Sequence, residues 1–194
     1  MLQSFIIACR ATVFTLLLTG VAYPLLVTGL AQLLFPDKAN GSMVKDERGQ
    51  VVGSEFIGQK FSHPAYFQSR PSAAGEKAYD GLASGGSNYG VTSQKLRDRV
   101  ISDLESLKKD NPGALGPIPA ELLTASGSGL DPHLSPAGAR WQISRVAKAR
   151  KVAHERIEAV VQGYIQGRDL GFLGEPRVNV LLLNLALDRQ FGKP

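Results

Sequence analysis

Residues 11–35 read ATVFTLLLTGVAYPLLVTGLAQLLF, with no charged side chain among them. At ~1.5 Å of rise per residue, a helix of that length covers about 37 Å, enough to cross a ~30 Å hydrocarbon core with some tilt. The rest of the 194-residue chain is polar, charged and rich in turn residues. The sequence therefore divides into an amino-terminal segment, 1–36, whose transmembrane helix covers about 11–35, and a soluble domain over 37–194 of ordinary single-domain size. Pro24 lies mid-helix, where a soluble helix would kink; a membrane helix tolerates it when neighbouring groups satisfy the freed carbonyl. Gly20 and Gly29, beside Thr19 and Thr28, offer small surfaces to an approaching helix, so Gly20, Pro24 and Gly29 are the candidate helix-contact positions. The competing reading is a lone anchor facing lipid.

The apolar stretch is longer than the ~7–15 residues of a secretory signal and runs into Gln32–Pro36 without a small-residue cleavage site, so cleavage is not expected. Ile6-Ile7-Ala8-Cys9 superficially suits lipid attachment, but too few residues precede the cysteine and none is basic. Cys9 reads as a small apolar residue, and as the only cysteine it forms no intrachain disulfide. Arg10 and the terminal amine stand on the short side of the helix with no acid before Asp37, which favours a cytoplasmic amino terminus and a domain outside the cytoplasm. Lys38, Lys45 and Arg48 argue the other way but are accompanied by Asp37, Asp46 and Glu47.

A net charge of +5 raises nucleic acid or acidic lipid as partners, yet the basic residues are not interleaved with stacking aromatics, and no nucleic-acid partner is expected. The densest basic run, Arg145, Lys148, Arg150, Lys151 and Arg156, follows a helical pattern and reads as a solvated face.

Past the anchor, Val51-Val52, Phe56-Ile57 and Tyr66-Phe67 are short apolar pieces set between glycines and Pro64, a pattern of short strands and turns. Gly, Ala and Ser dominate 73–90, which predicts a long loop of the kind that often carries a binding surface. Helical patterns follow. Ser93 caps one with Leu96, Val100, Leu104 and Leu107 on a face; Pro119 starts a short one; Ser135-Pro136 opens one carrying Ile143, Val146 and Ala147. Ile157, Val160, Val161, Tyr164 and Ile165 form a further core stripe. Val178–Leu187 is nearly all apolar, and its Leu and Ala content favours a buried helix over a strand. The fold class is thus α/β: one N-terminal transmembrane helix, then a single mixed α/β extracytoplasmic domain.

Signatures of catalysis are missing. His63, His133 and His154 are scattered, without metal-ligand spacing, and no metal site is expected. There is no Gly-x-Ser-x-Gly elbow for a serine nucleophile, no Gly-Lys phosphate loop and no potassium-filter motif, and no catalytic residue is assigned. Leu82-Ala83-Ser84-Gly85-Gly86-Ser87 is similar to the Leu-Ser-Gly-Gly-Gln signature of ABC-type ATPases, whose backbone N–H groups and serine approach a γ-phosphate. Ser84, Gly85, Gly86, Ser87 and Asn88 are accordingly the candidate cofactor-contact loop, with a structural or subunit-contact role favoured over nucleotide contact.

Together, Thr19–Pro24, Gly53-Ser54-Glu55-Phe56-Ile57-Gly58-Gln59, Tyr66–Ser72, Ser84–Asn88, Ser126–Pro136, Gln142 with Arg145-Val146-Ala147 and Arg150, and Val180-Leu181-Leu183-Asn184 resemble the C subunit of the bacterial Kdp potassium-transporting ATPase over almost the whole chain. Tyr89–Gln94 departs from that pattern, which expects Pro and Asn after the Ser-Asn turn. The resemblance implies a single-pass inner-membrane accessory subunit, not itself an enzyme, that supports assembly of a high-affinity potassium importer. Its implied partners are a channel-like potassium-translocating subunit, a P-type ATPase subunit, a very small membrane peptide and membrane lipid. It also implies a catalytic-chaperone role that raises the ATP affinity of the ATPase subunit, with no firmly bound cofactor and with ATP met only in a transient complex. The alternative function is a membrane-anchored nucleotide-binding regulator or hydrolase acting without the complex.

Overall fold

The computed structural model describes residues 1–194, and the chain separates into two compact units, Met1–Met43 and Val44–Pro194.

In the first unit, α1 (Leu2–Leu17), a π-helical turn (Leu18–Ala22) and α2 (Tyr23–Leu34) run on as one apolar helix, long and apolar enough to cross a membrane. It starts nine residues earlier than the uncharged stretch and takes Arg10 into its first half. The π turn explains how Pro24 is accommodated. Tyr23 N–H donates to the Leu18 carbonyl, five residues back, and the wider turn precedes the one residue that has no N–H to give. Thr15 and Thr19 return their hydroxyl protons to the carbonyls of Ala11 and Thr15, so neither presents an unsatisfied donor to hydrocarbon. After Phe35 comes one helical turn, α3 (Pro36–Ala39), where the Gln32 and Asn40 amides pair reciprocally at 3.2 Å.

The second unit mixes helices with two small sheets. β1 (Met43–Lys45) and β2 (Val51–Ser54) form one, joined by a turn in which Asp46 Oδ1 accepts from the N–H groups of Arg48 and Gln50. The other has the order β3-β5-β4: β3 (His133–Leu134) and β4 (Ile165–Gln166) both pair antiparallel to β5 (Arg177–Asn179), with Leu134 and Ile165 each opposite Val178. Against this sheet pack α5 (Pro136–Arg150), α6 (His154–Gly163) and α7 (Val180–Phe191). Their inward residues, Ile143, Val146, Ile157, Val161, Leu183 and Leu187, are fully buried with Val178 and Phe67. The remaining helix, α4 (Gln94–Asp110), buries no residue completely and touches the core through Leu107.

Local signals explain most element ends. Ser135 Oγ accepts from Gly138 N–H as the α5 cap. Glu121, just past the Pro119 turn, adds a carboxylate to that helix start, accepting from Ser135 N–H and Oγ, which suits the positive end of the helix dipole. The run 178–187 is neither all strand nor all helix: it leaves β5 at Asn179, whose side chain caps α7 by accepting from Leu182 N–H. Asn179, near the start of the run, is the switch point, because a short amide caps a helix better than it continues a strand.

Short strands and turns are expected between Val51 and Phe67, and β2 is the strand that forms there. Phe56-Ile57 lies in a turn, with Phe56 N–H held by Ser54 Oγ. Tyr66 closes a turn on His63, its N–H donating to the His63 carbonyl at 3.1 Å, and Phe67 has no strand partner: the Tyr66 carbonyl and both backbone groups of Phe67 bond to side chains of α5 and α7.

Candidate functional site

The two Ser/Gly loops singled out in the sequence meet in space. Gly85 N–H donates to the Ser128 carbonyl at 2.8 Å, and Ser84 Oγ donates to the same oxygen at 3.0 Å. Gly86 lies so close to Gly127 that a Cβ would stand 3.1 Å from its carbonyl oxygen. Gly129, at φ +67°, would put a Cβ 2.5 Å from the Gly85 carbonyl and 2.8 Å from Ala74 N. Gly86 is thus held tight against Gly127, and Gly129 is required both by close backbone approach and by its left-handed conformation. Ser84 and Gly85, whose donors would have to face a phosphate, spend them inside the chain. Ser87 is half-buried, and Asn88 is exposed in the left-handed region at φ 51°.

This loop pair joins a larger junction. Gly58 N–H donates to the Leu130 carbonyl at 2.7 Å. Arg70 forms a 3.0 Å ion pair with Asp131 Oδ2, while Asp131 Oδ1 accepts from His133 N–H at 2.9 Å. Burial pulls the Asp131 carboxyl pKa upward, but hydrogen bonds from His133 and the charge of Arg70 prevail and hold it below the usual range. Ser72 Oγ gathers the N–H groups of Ala74 and Tyr79, and Tyr79 OH donates to the Arg70 carbonyl. Burial pushes the Tyr79 hydroxyl up to about 12. The loop 73–90 is therefore long but pinned at both ends, a shaped surface set by its own polar groups.

Beside it, α5 and α7 hold the segment Pro64–Gln68 by its main chain. Arg145 donates to the carbonyls of Pro64 and Tyr66, to Asn111 Oδ1 and to Gln142 Oε1. Gln142 in turn bonds both backbone groups of Gln68, and Asn184 both those of Phe67. Arg150 Nε donates to the Ala65 carbonyl, and its guanidinium pairs with Asp188 at 2.7 Å over the Tyr66 ring. This overturns one expectation. Lys148, Lys151 and Arg156 are exposed, but Arg145 and Arg150 turn inward, because an unpaired stretch of main chain offers the oxygen acceptors a buried guanidinium needs. Burial lowers the Arg145 pKa to about 10, against the charge of Asp110, and it remains a cation at neutral pH.

His63 accepts from Ala65 N–H through Nδ1, His133 lies 3.5 Å from Asp131, and exposed His154 starts α6. No three His, Cys, Asp or Glu side chains gather as a metal site would require.

On the helix, Gly20 and Gly29 have no role within the chain that demands glycine. A Cβ at 29 would meet nothing within 4 Å, and one at 20 only Leu16 Cδ1 at 3.6 Å. No side chain of α1, the π turn or α2 is buried.

The model of the family described as K+-transporting ATPase, c chain, KdpC, matches residues 5–189, helix and domain alike. The chain belongs to the KdpC family. A Myxococcus xanthus protein named potassium-transporting ATPase KdpC subunit is 63% identical over 192 residues, covering 99% of this chain and 90% of the relative. KdpC subunits so named from Rhodospirillum rubrum and Methylococcus capsulatus are 57% and 54% identical, over 90% and 89% of this chain and 90% of each relative. Membership makes this a membrane subunit of a potassium-transporting ATPase and gives the exposed helix an assembly to belong to.

The sequence pointed to Gln142 and Asn184 without their roles, and to Arg145 and Arg150 as a solvated face. It placed Asn111, Arg70 and Asp131 in their segments but not the bond of Asn111 to Arg145 or the Arg70–Asp131 pair, whose partners are far apart in sequence and carry no local signal.

Proposed function

We propose that this chain is a non-catalytic accessory subunit of a high-affinity, ATP-driven potassium importer, with its helix crossing the bacterial inner membrane, amino terminus in the cytoplasm and domain in the periplasm. The helix packs against the channel-like potassium-translocating subunit through the small positions Gly20 and Gly29 and the bend at Pro24, and the domain stabilises that subunit's outer entrance. The P-type ATPase subunit and the small membrane peptide complete the assembly, with lipid around the remaining helix faces. The observation that carries this reading is the bare helix. A domain with its own closed core is joined to a helix on which no side chain is buried and whose glycines serve no contact within the chain, which suits a subunit whose helix surface is completed by others.

In this reading the Ser84–Asn88 loop and its partner Ser126–Leu130 form a docking surface, and ATP reaches this chain only in a transient complex with the ATPase subunit. A catalytic-chaperone effect on ATP affinity then requires coupling across the membrane, a free-energy link between two sites that must be reciprocal.

The test is purification through a carboxy-terminal tag from mildly solubilised membranes of potassium-starved cells, with mass spectrometry of what co-elutes. A P-type ATPase and a channel-like subunit in fixed proportion is the expected result. Recovery of this chain alone, under conditions that keep other complexes whole, would overturn the proposal. ATP titration of the complex with and without this chain then tests the chaperone role, for which tighter binding in its presence is required.

A further inference from the structure

Between β4 and β5 the chain makes a tight hairpin whose tip is apolar and fully out in solvent. Asp169 and Leu173 exchange both backbone hydrogen bonds at 2.9 Å, closing the turn Leu170-Gly171-Phe172. Leu170 and Phe172 are 83% and 69% exposed and Leu173 49%. The conformation is specified: Gly171 and Gly174 take positive φ, and Leu170, a side chain that pays for it, sits at φ 54°. Such a cost persists only where surrounding structure fixes it. Two ion pairs brace the base, Arg168 to Glu175 at 2.9 Å and Arg177 to Asp169 at 3.2 Å.

We propose that this tip is a membrane-contact element, inserting Leu170, Phe172 and Leu173 into the interfacial region of the bilayer that the chain's own helix crosses. Three observations favour lipid as the occupant. The patch is three side chains, far short of the ~800 Å² a side of a standard protein interface but sufficient for an interfacial foothold. Its charged rim is paired within itself, two arginines against two carboxylates, so it asks for no complementary surface, and the arginine stems can lie along acyl chains with their heads in the headgroup layer. The connecting segment 35–43 cannot exceed about 32 Å even fully extended, so the domain is held at high effective concentration beside the bilayer and a weak foothold is enough. The inference rests on the helix crossing a membrane and is independent of the chaperone role.

Phe172→Trp, at an exposed position, reports the tip directly in the full chain, with buried Trp141, the sole native tryptophan, as background. In nanodiscs of zwitterionic phosphatidylcholine, emission from the introduced indole should shift to the blue. Lipids brominated near the headgroup should quench the added emission at least twofold, unaffected by salt because the rim is neutral. Leu26→Trp, near the middle of the helix's uncharged stretch, is the control for insertion and is read with lipids brominated near the acyl-chain ends. No quenching at 172 with quenching at 26 overturns the inference. No quenching at either sinks the spanning helix and the inference with it. Blue emission at 172 that is shielded from bromine and seen only when co-purified subunits are present assigns the tip to a protein pocket and overturns it equally.

Discussion

Asn184, buried on α7, holds the main chain of Phe67 by both of its groups: Oδ1 accepts the N–H at 2.8 Å and Nδ2 donates to the carbonyl at 2.9 Å. The side chain supplies the main-chain partners that a neighbouring strand would otherwise give this segment. Asn184→Ala strands two buried backbone groups at about 1–3 kcal/mol each. The full chain should lose roughly 2–6 kcal/mol in denaturant unfolding by that arithmetic, while exposed Gln190→Ala should change stability by no more than about 0.5 kcal/mol. Equal behaviour of the two variants would show that the Asn184 hydrogen bonds to Phe67 contribute nothing to stability.

The loop pair makes a second prediction. Gly129→Ala meets two penalties together, a Cβ 2.5 Å from the Gly85 carbonyl and a backbone at φ +67°. Backbone atoms cannot rotate away as a side-chain tip can, so the loops must part. The expected result is a loss of about 2 kcal/mol or more and faster amide exchange at Gly85, whose N–H is bonded across the gap. Gly81→Ala and Gly90→Ala, where an added Cβ meets nothing within 4 Å, should leave both unchanged. Retained exchange protection at Gly85 in Gly129→Ala would disprove the contact.

Tyr66 makes stability depend on alkaline pH. Burial, then its hydrogen bond to Asp188 and that carboxylate's charge, push the hydroxyl up to about 12, with Arg150 opposing. The folded pKa lies above the unfolded value of about 10. The contribution is therefore complete below pH 10 and is lost as pH rises from 10 through 12, where the unfolded chain has given up its proton and the folded chain has not. Tyr66→Phe should flatten that part of the stability profile relative to the native chain. Tyr79, also raised to about 12, and Arg145, lowered to about 10 and acting in the opposite direction, are common to both proteins and cancel in the difference. Parallel profiles across pH 10–12 would exclude the Tyr66 contribution.

How far the sequence revealed this fold depends on the range of the forces involved. The membrane helix was legible because it needs only length and apolarity, and α5 because Ser135-Pro136 is a local start signal. The apolar piece Tyr66-Phe67 forms no strand for a nonlocal reason: the side chains that hold its main chain, Arg145 and Asn184, lie 79 or more residues away in sequence, and alternation cannot distinguish a strand from a segment bound by side chains. The same distance hid the inward turn of Arg145 and Arg150, since a buried guanidinium and a solvated one look alike on a helical wheel. The Ser/Gly loops were legible as loops, but their mutual contact was not.

The helix glycines supply the prediction that separates an assembly role from a plain anchor. A Cβ at Gly29 meets nothing and one at Gly20 only the end of Leu16, so Gly20→Leu and Gly29→Leu should insert and unfold as the native chain does, helix propensity if anything favouring leucine. If another helix approaches at these positions, a leucine there forces the backbones apart and removes the close packing on which association in lipid depends. Recovery of the P-type ATPase and channel-like subunits on a carboxy-terminal tag should fall at least several-fold, while the amount of this chain in the membrane stays constant. The substitutions are to be made singly. Loss at one alone identifies that position as the contact, and loss at both makes both positions contacts. Undiminished recovery from both variants would leave only a tether facing lipid.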